Sequence, residues 1–492
     1  MMMPTKRMSG SSPSGRRRVT SLLCLAAVIA CSPDHILEVE DIDVALPPTI
    51  EDSTALPSLL AGAIGDFGTA YNGNAQADFT ALDLNQVTLS GLISDEFINT
   101  ETFPTRIEVD QRRQQYQSNG SLRDAFYAIQ QARAAAERAV DGYREFAAAD
   151  VGHAEALNIG ALSLILMAEN YCGAVPISRV TGPGTFEYGT PLDTDELLEL
   201  ALAKADSAFA LASAAATVGA GAKKTEQVRL ARVVRGRALL NLNRPADAAT
   251  AIGGETGVPT IFQYFFKHSE VTGRQNNGTW LTTGSVARFG VADREGVNGL
   301  PFRTEGDTTG NAAHDPRVAN RRRTPAPGLG FDGATPQWIP LKHNKRDTLA
   351  IITDGVEARL IEAEAAYRAN NYVGALAILN ALRSNAALFR LRGYVDANQD
   401  PRSLPPLAPA ATAVEQENQI FKERAYWLYL TSHRLGDLRR LIRQYGRGAE
   451  TVFPTGNYHK PGTYGTDVNS PIPQAEENNP NFQRSACVVT QA

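Results

Sequence analysis

Several groups of residues in this chain have types and spacing that could do chemistry. Asp95-Glu96 sets two carboxylates side by side, but neighbouring side chains need not face one another, so the pair does not read as an acid–base couple. Asp396, Asn398 and Asp400 have the alternating oxygen spacing of a calcium loop. Pro401 stands where that loop needs glycine and Leu407 where it needs a bidentate glutamate, so a polar turn is expected and no metal. Gly328-Leu329-Gly330-Phe331-Asp332-Gly333 satisfies G-x-G-x-x-G, but a dinucleotide site needs a strand before it and a helix after it. Pro325 and Pro327 precede the run and Pro336 follows, which argues against both elements. The histidines are dispersed, and no H-E-x-x-H, G-x-S-x-G or paired C-x-x-C occurs. A glycan hydrolase needs no fixed carboxylate spacing and stays as an alternative without positive support. No catalytic residue and no cofactor are expected.

A second set of charges lies near the C-terminus. Glu423-Arg424 and Arg434-Leu435-Gly436-Asp437-Leu438-Arg439-Arg440 read as one long helix rich in ion pairs. Arg434 and Asp437, three residues apart, are placed to pair on one face. Glu423 lies about 16 Å along such a helix from Arg434, so those two should instead hold neighbouring helices. Ile420, Trp427, Leu438 and Leu441 should face inward. A proline-broken, asparagine-rich coil follows, from Ser470 to Phe482. Asp315-Pro316-Arg317 reads as a turn whose arginine pairs with a carboxylate.

The first 30 residues carry Lys6, Arg7, Arg16, Arg17 and Arg18 and no acid, then an apolar run from Val19 to Ala30. This is the pattern of a secretory leader, too short to span a bilayer. Val28-Ile29-Ala30-Cys31 also fits a lipobox, with Cys31 lipidated and made the new N-terminus. Residues 31–52 then read as an acidic tether, solvated and extended. The chain holds 48 basic and 53 acidic residues; without the five basic residues of the leader it has net charge −10, which argues against nucleic acid as a partner. Cys24 falls within the leader, leaving Cys172 and Cys487 in the body. Two cysteines in an exported chain are expected to pair, the alternative being two separate buried thiols.

The body reads as mainly helical. Helices are expected over Leu122–Phe146, His153–Tyr171, Asp195–Ala216 and Thr225–Leu242, the second apolar almost all round and therefore central. It should end at Cys172-Gly173-Ala174-Val175-Pro176, with Gly173 as cap. Gly236, Leu239, Ala248 and Ile252 share their spacing with Ala363, Ala366, Ala375 and Leu379, the small-and-apolar pattern of tetratricopeptide (TPR) hairpins. Asn243-Arg244-Pro245 and Asn370-Asn371-Tyr372 supply the turns. Between the two copies, residues 253–349 turn rich in Gly, Pro, Thr, Asn and aromatics, which reads as loops with short strands on a helical scaffold. Thr54–Asp95 has a weaker version of the same character, and 391–413 is a proline-rich loop.

The C-terminal run resembles the end of the SusD/RagB family of surface lipoproteins. The helix ending in Gly173 and Val175-Pro176 resembles that family's G-x-V-P stretch, although Gly173-Ala174 replaces its usual Gly-Asp. Ser94-Asp95-Glu96-Phe97 and Asp315-Pro316-Arg317 stand where such chains carry D-E and D-P-R. The resemblance implies a mainly α SusD-like fold of scattered TPR-like hairpins carrying a loop-rich ligand-binding insertion. On this reading residues 53–252 form an N-terminal helical region, 253–349 the insertion and 350–492 the C-terminal region. It further implies a non-enzymatic protein, lipid-anchored at the outer membrane and exposed at the cell surface, capturing a glycan or peptide there and passing it to a SusC-like TonB-dependent transporter. The ligand site should then be built from loops of 253–349. Trp280 leads, because the polar stretch Gln275–Thr279 before it is unlikely to be buried entire; Tyr264, Trp338 and Arg303 follow from the same region. The bland reading of Trp280 is an anchor of the insertion onto the helices. A TPR-type envelope scaffold is the other rival, and the long insertion speaks against it.

Overall fold

The computed structural model describes residues 52–75, 84–182, 185–215, 221–309, 313–392 and 403–492. Cys31, the tether up to residue 51 and the Asp396–Asp400 segment lie outside them. Helices make up most of what is described. α1 (Leu56–Asn72) packs on α4 (Gly120–Phe146), α4 on α5 (Val151–Asn170), α5 on α6 (Thr194–Ala214) and α6 on α7 (Gly221–Asn241). α5 is buried along its whole length, as its all-round apolar surface requires. It is long and apolar enough to cross a membrane, yet it forms the centre of the protein core. Asp150 caps its start by accepting from the Gly152 amide at 2.7 Å. At its other end the left-handed residue is Ala174, φ 73°, and not Gly173.

The two sequence repeats form α7–α8 (Pro245–Ile252) and α9–α10 (Gly355–Arg368, Tyr372–Ser384). Asn243 and Asn370 occupy the same left-handed position in their turns, both at φ 59°. α9 packs on α7, α8 and α10, so the repeats adjoin in space despite the insertion between them. Gly236 shows why a small residue is needed at the crossing: a Cβ there would lie 2.8 Å from Ile252 Cδ1 and 3.3 Å from Ile361 Cδ1.

The segment Thr54–Asp95 is a correction to the sequence reading. It holds α1 and the eight-residue α2 (Gln86–Ile93) where loop was expected. Gly62, Gly65 and Gly68 hide the helical spacing of Leu56, Leu60, Ala63, Phe67 and Tyr71, which are buried. Gly68 lets the Phe266 ring pack onto the helix, since a Cβ there would fall 2.1 Å from a ring carbon.

The expected long C-terminal helix is likewise two helices, α11 (Ala413–Trp427) and α12 (Arg434–Tyr445). The break holds Leu430 and Ser432 with positive φ, although no Gly or Pro announces it. It is held from outside: Leu430 N donates to Glu96 Oε1 at 2.9 Å, and Ser432 Oγ to Gln86 O at 2.9 Å. Arg434 therefore pairs with Asp95 (2.6 Å), and not with Asp437. Asp437 instead takes Arg424 from across the break (2.8 Å) and Arg440 (2.8 Å), and Arg440 and Tyr445 both reach Glu364. Glu423 holds Arg317 and Arg383, each at 2.6 Å, and Arg317 also pairs with Asp315. These are ties between elements, as the eleven-residue spacing required. Ile420, Trp427, Leu438 and Leu441 are all buried.

The insertion leaves α8 and returns to α9 through β6 (Gln263–Phe266) and β10 (Ala350–Asp354), which pair antiparallel. Its other strands are short. β7 (Phe289–Val291) pairs with β1 (Phe97–Asn99), and β8 (Asn320–Arg322) with β9 (Trp338–Pro340). The stretch with the glycine-rich pattern forms turns with no helix after it. At the C-terminus, Cys172 and Cys487 are disulfide-bonded, and Cys172 N donates to Ser470 O at 2.9 Å, so the coil is fixed to the end of α5.

Candidate functional site

The site begins with two aromatic rings on the surface where β1 meets the insertion. Phe103 precedes Pro104, the first residue of α3 (Pro104–Asp110); this position outside the helix turns its ring outward, leaving it 43% exposed. Phe331 sits in the turn Gly330–Gly333 and is 51% exposed. The turn is laid against β1: Asp332 N donates to Thr100 O at 3.0 Å, and Phe331 N to Ala287 O at 2.9 Å. Gly330 makes this approach possible, because a Cβ would stand 2.5 Å from Thr100. The two ring centroids are 6.1 Å apart, with planes inclined by 34°.

Beneath the rings lies a buried charged base. Arg106 Cζ is 4.6 Å from the Phe103 centroid, and Arg288 Cζ lies 5.2 Å from Phe103 and 5.4 Å from Phe331. Both guanidinium groups pair with the fully buried Glu101, Arg106 through a two-pronged contact and Arg288 at 3.4 Å. Lys460 closes the rim, reaching Asn99 Oδ1 (3.1 Å), Glu101 O and Asp332 (3.0 Å). Burial pushes the Asp332 carboxyl up, but hydrogen bonds from Thr335, Ala334 and Lys460 outweigh it and bring it down to about 2. Asp332 is thus an anion over the working range, and it pins the loop that presents Phe331. The platform offers two apolar faces, fixed in place, with cationic and carbonyl edges. Glu101 is committed to two arginines, which fixes the base beneath the rings.

The sequence candidates fall in three places. Arg303 and Trp338 come together: Arg303 Cζ is 5.7 Å from the ring of Trp338, with Arg322 at 5.9 Å, and Arg303 also pairs with Asp293. Trp280 is half-buried under Arg346, whose Cζ lies 5.2 Å from a ring of the indole. The stretch before it is more buried than expected, since Asn276–Thr279 are all enclosed and Asn277 bonds to His343 and Thr348 O. Tyr264 is a correction. It lies in β6 with 7% exposure, its hydroxyl 3.3 Å from Glu155 Oε1, so the ring is core. Asp95, Glu96 and Arg317 are buried among other elements, Asp315 is half-buried beside Arg317, and none of them belongs to the platform.

Composition points to 253–349, whereas Phe103 and Arg106 lie far upstream of it; Arg288 lies within the stretch, but no local pattern ties it to a ring at position 103. Phe331 carried a usable signal: an aromatic residue set between the turn glycines Gly330 and Gly333 belongs to a tight surface turn.

A stacked helical scaffold with an irregular insertion is the fold of SusD-like proteins. A SusD-like carbohydrate-binding protein from Bacteroides vulgatus superposes with TM-score 0.59 at 14% identity, covering 88% of this chain and 97% of its own. The surface glycan-binding protein A from Bacteroides uniformis gives TM-score 0.59 at 13% identity, covering 88% and 99%. A SusD superfamily protein from Bacteroides fragilis gives 0.57 at 16%, covering 88% and 99%. Residues 357–484 match the SusD family model, and the chain as a whole has the fold of SusD-like proteins. No curated protein matches it.

Proposed function

We propose that the protein is a surface glycan-binding lipoprotein that takes its ligand on the Phe103–Phe331 platform and hands it to a SusC-like, TonB-dependent outer-membrane transporter. The observation that carries this is the pairing of two exposed rings with a fully buried ionic base. Exposed aromatic faces are costly in water unless something covers them, and sugar C–H faces do so while their hydroxyls bond to the polar rim. The similar proteins include ones named for carbohydrate and surface glycan binding, which favours glycan over peptide. Trp338 with Arg303, and Trp280 with Arg346, stand half-exposed in the same insertion and are proposed as flanking contacts. Cys31 is the proposed lipid anchor, holding the protein to the outer membrane ahead of an acidic tether.

The test is affinity electrophoresis through gels containing single soluble polysaccharides, with Phe103→Ala and Phe331→Ala variants. Each should weaken binding roughly ten-fold, the scale of a contact hot spot, while the melting temperature stays put. Unchanged retardation in both variants would remove the platform from the binding surface. Cys31→Ala should release the protein from the outer-membrane fraction, and co-purification of a barrel from detergent-solubilised membranes tests the partner.

A further inference from the structure

A second opening lies away from the platform, between the start of α4 and the asparagine-rich C-terminal coil. It has a volume of about 450 Å³, within the range of small-ligand sites. One wall is Tyr116, Gln117, Ser118 and Arg123; the other is Pro473–Ala475 with Glu477 and Asn478. Both walls are fixed. Asn119 caps α4 through Leu122 N (3.0 Å) and also reaches Thr105 O, and the disulfide ties the coil to α5. Arg484 binds wall to wall. Its Cζ is 3.9 Å from the Tyr116 centroid and 4.9 Å from Phe482, and it donates to Ile472 O and Pro473 O.

The charges at this opening are used within the walls: Arg123 pairs with Asp124, and Glu477 with Arg484. The remaining polar side chains are uncharged, and those of Gln117, Ser118, Gln474 and Asn478 make no hydrogen bond to another described residue. Amides and a hydroxyl offer both donors and acceptors, and a ligand rich in neutral hydroxyl groups, each able to donate and accept, satisfies both kinds at once. Two exposed rings border the region. Tyr127 stands one turn along α4 from Arg123, 40% exposed, and Tyr188, 48% exposed, is tied to the coil through Asn481 at 2.8 Å.

We propose that this cleft is a second glycan-binding site, taking a neutral oligosaccharide stretch. It rests on the glycan reading of the ligand but not on the platform. A preformed, partner-free polar cleft beside exposed tyrosines would let one polysaccharide chain be held at two points, raising retention without tighter contacts at either.

The experiment is the same electrophoresis, in dextran, pullulan, laminarin, xylan and galactomannan, with Gln117→Ala/Asn478→Ala, Phe331→Ala and the triple variant. Thermal melts confirm folding, which exposed polar substitutions should leave unchanged. In whichever polysaccharide retards the wild type, the double variant should lose roughly ten-fold in affinity, the worth of two neutral hydrogen bonds, and the triple variant more. A double variant retarded like the wild type while Phe331→Ala is not would overturn the cleft and leave the platform standing. The reverse pattern would support the cleft and overturn the platform. No retardation of the wild type in any of the five would overturn both.

Discussion

Replacing Glu96 with Gln should stabilise the protein, and increasingly so as pH rises. Glu96 is completely buried, with Oε1 accepting the Leu430 amide and Oε2 bonded to nothing. Burial drives its carboxyl up from 4.5 to about 8, helped by the neighbouring Asp95; the Leu430 amide, Arg434 and Lys342 pull the other way without prevailing. The folded protein therefore holds this proton more tightly than the unfolded chain does. Its contribution is complete below the ordinary glutamate range and is lost as pH climbs to about 8. Each unit of difference is worth about 1.4 kcal/mol, so at pH 7 the loss is on the order of 3 kcal/mol, and above pH 8 somewhat more. Gln copies the neutral acid and cannot ionise. For a chain this long roughly 3 kcal/mol is about 3 °C in melting temperature, given about 2 cal/mol/K of unfolding entropy per residue. Urea unfolding of both proteins at pH 5, 7 and 9 is the assay, because the difference between them isolates one group. The curves should nearly coincide at pH 5 and separate with Glu96→Gln the more stable. A difference that does not vary with pH, or a variant weaker than wild type at pH 9, would refute the reasoning.

Three further outcomes follow from the packing. Cys172→Ser should lower stability by up to about 5 kcal/mol in the chain-entropy view, since the bridge closes a loop with a sequence separation of 315 residues; denaturant midpoints with and without reductant check it. Gly236→Val should cost about 1–3 kcal/mol, because its side chain would overlap Ile252 and Ile361 where two hairpins cross, and thermal melts would show this without a change in glycan affinity. Asp437→Ala should cost about 3–5 kcal/mol at pH 7 by stranding Arg424 and Arg440. Asp437 and Glu357 are buried, which alone would raise them, but Arg424 and Arg440 hold Asp437 well below its usual value and His433 brings Glu357 to about 2. Such carboxylates stabilise above their ordinary range and lose that effect as pH falls, so the gap between Asp437→Ala and wild type should shrink in acid.

Some of this architecture was legible because the residues that encode it act locally. Gly236 and Ala363 mark helix crossings, Asn243 and Asn370 take the left-handed turn position, and the apolar ring of α5 demands burial. Asp315-Pro316-Arg317 forms its expected paired turn, and of the two states open to Cys172 and Cys487 the structure holds the bridge. What escaped depends on partners distant in sequence. The break at 428–433 is fixed by Glu96 and Gln86, more than 300 residues upstream, and Arg434 finds Asp95 for the same reason. α1 was obscured by glycines whose purpose, room for Phe266, only the folded chain reveals. The platform joins Phe103 to Phe331 across 228 positions, and no local pattern can announce such a meeting. Tyr264 shows the converse: an aromatic in a loop-rich stretch can still be core when a strand carries it inward.

The β6–β10 pair gives the insertion a narrow neck. Its two ends enter and leave side by side, between hairpins that already touch each other through α8 and α9. The scaffold therefore does not depend on the insertion's length to close, and loop-closure cost grows only slowly with added residues. Residues added beyond the neck would leave the closure of the helical stack unchanged, with the two hairpins keeping their register through α7, α8 and α9.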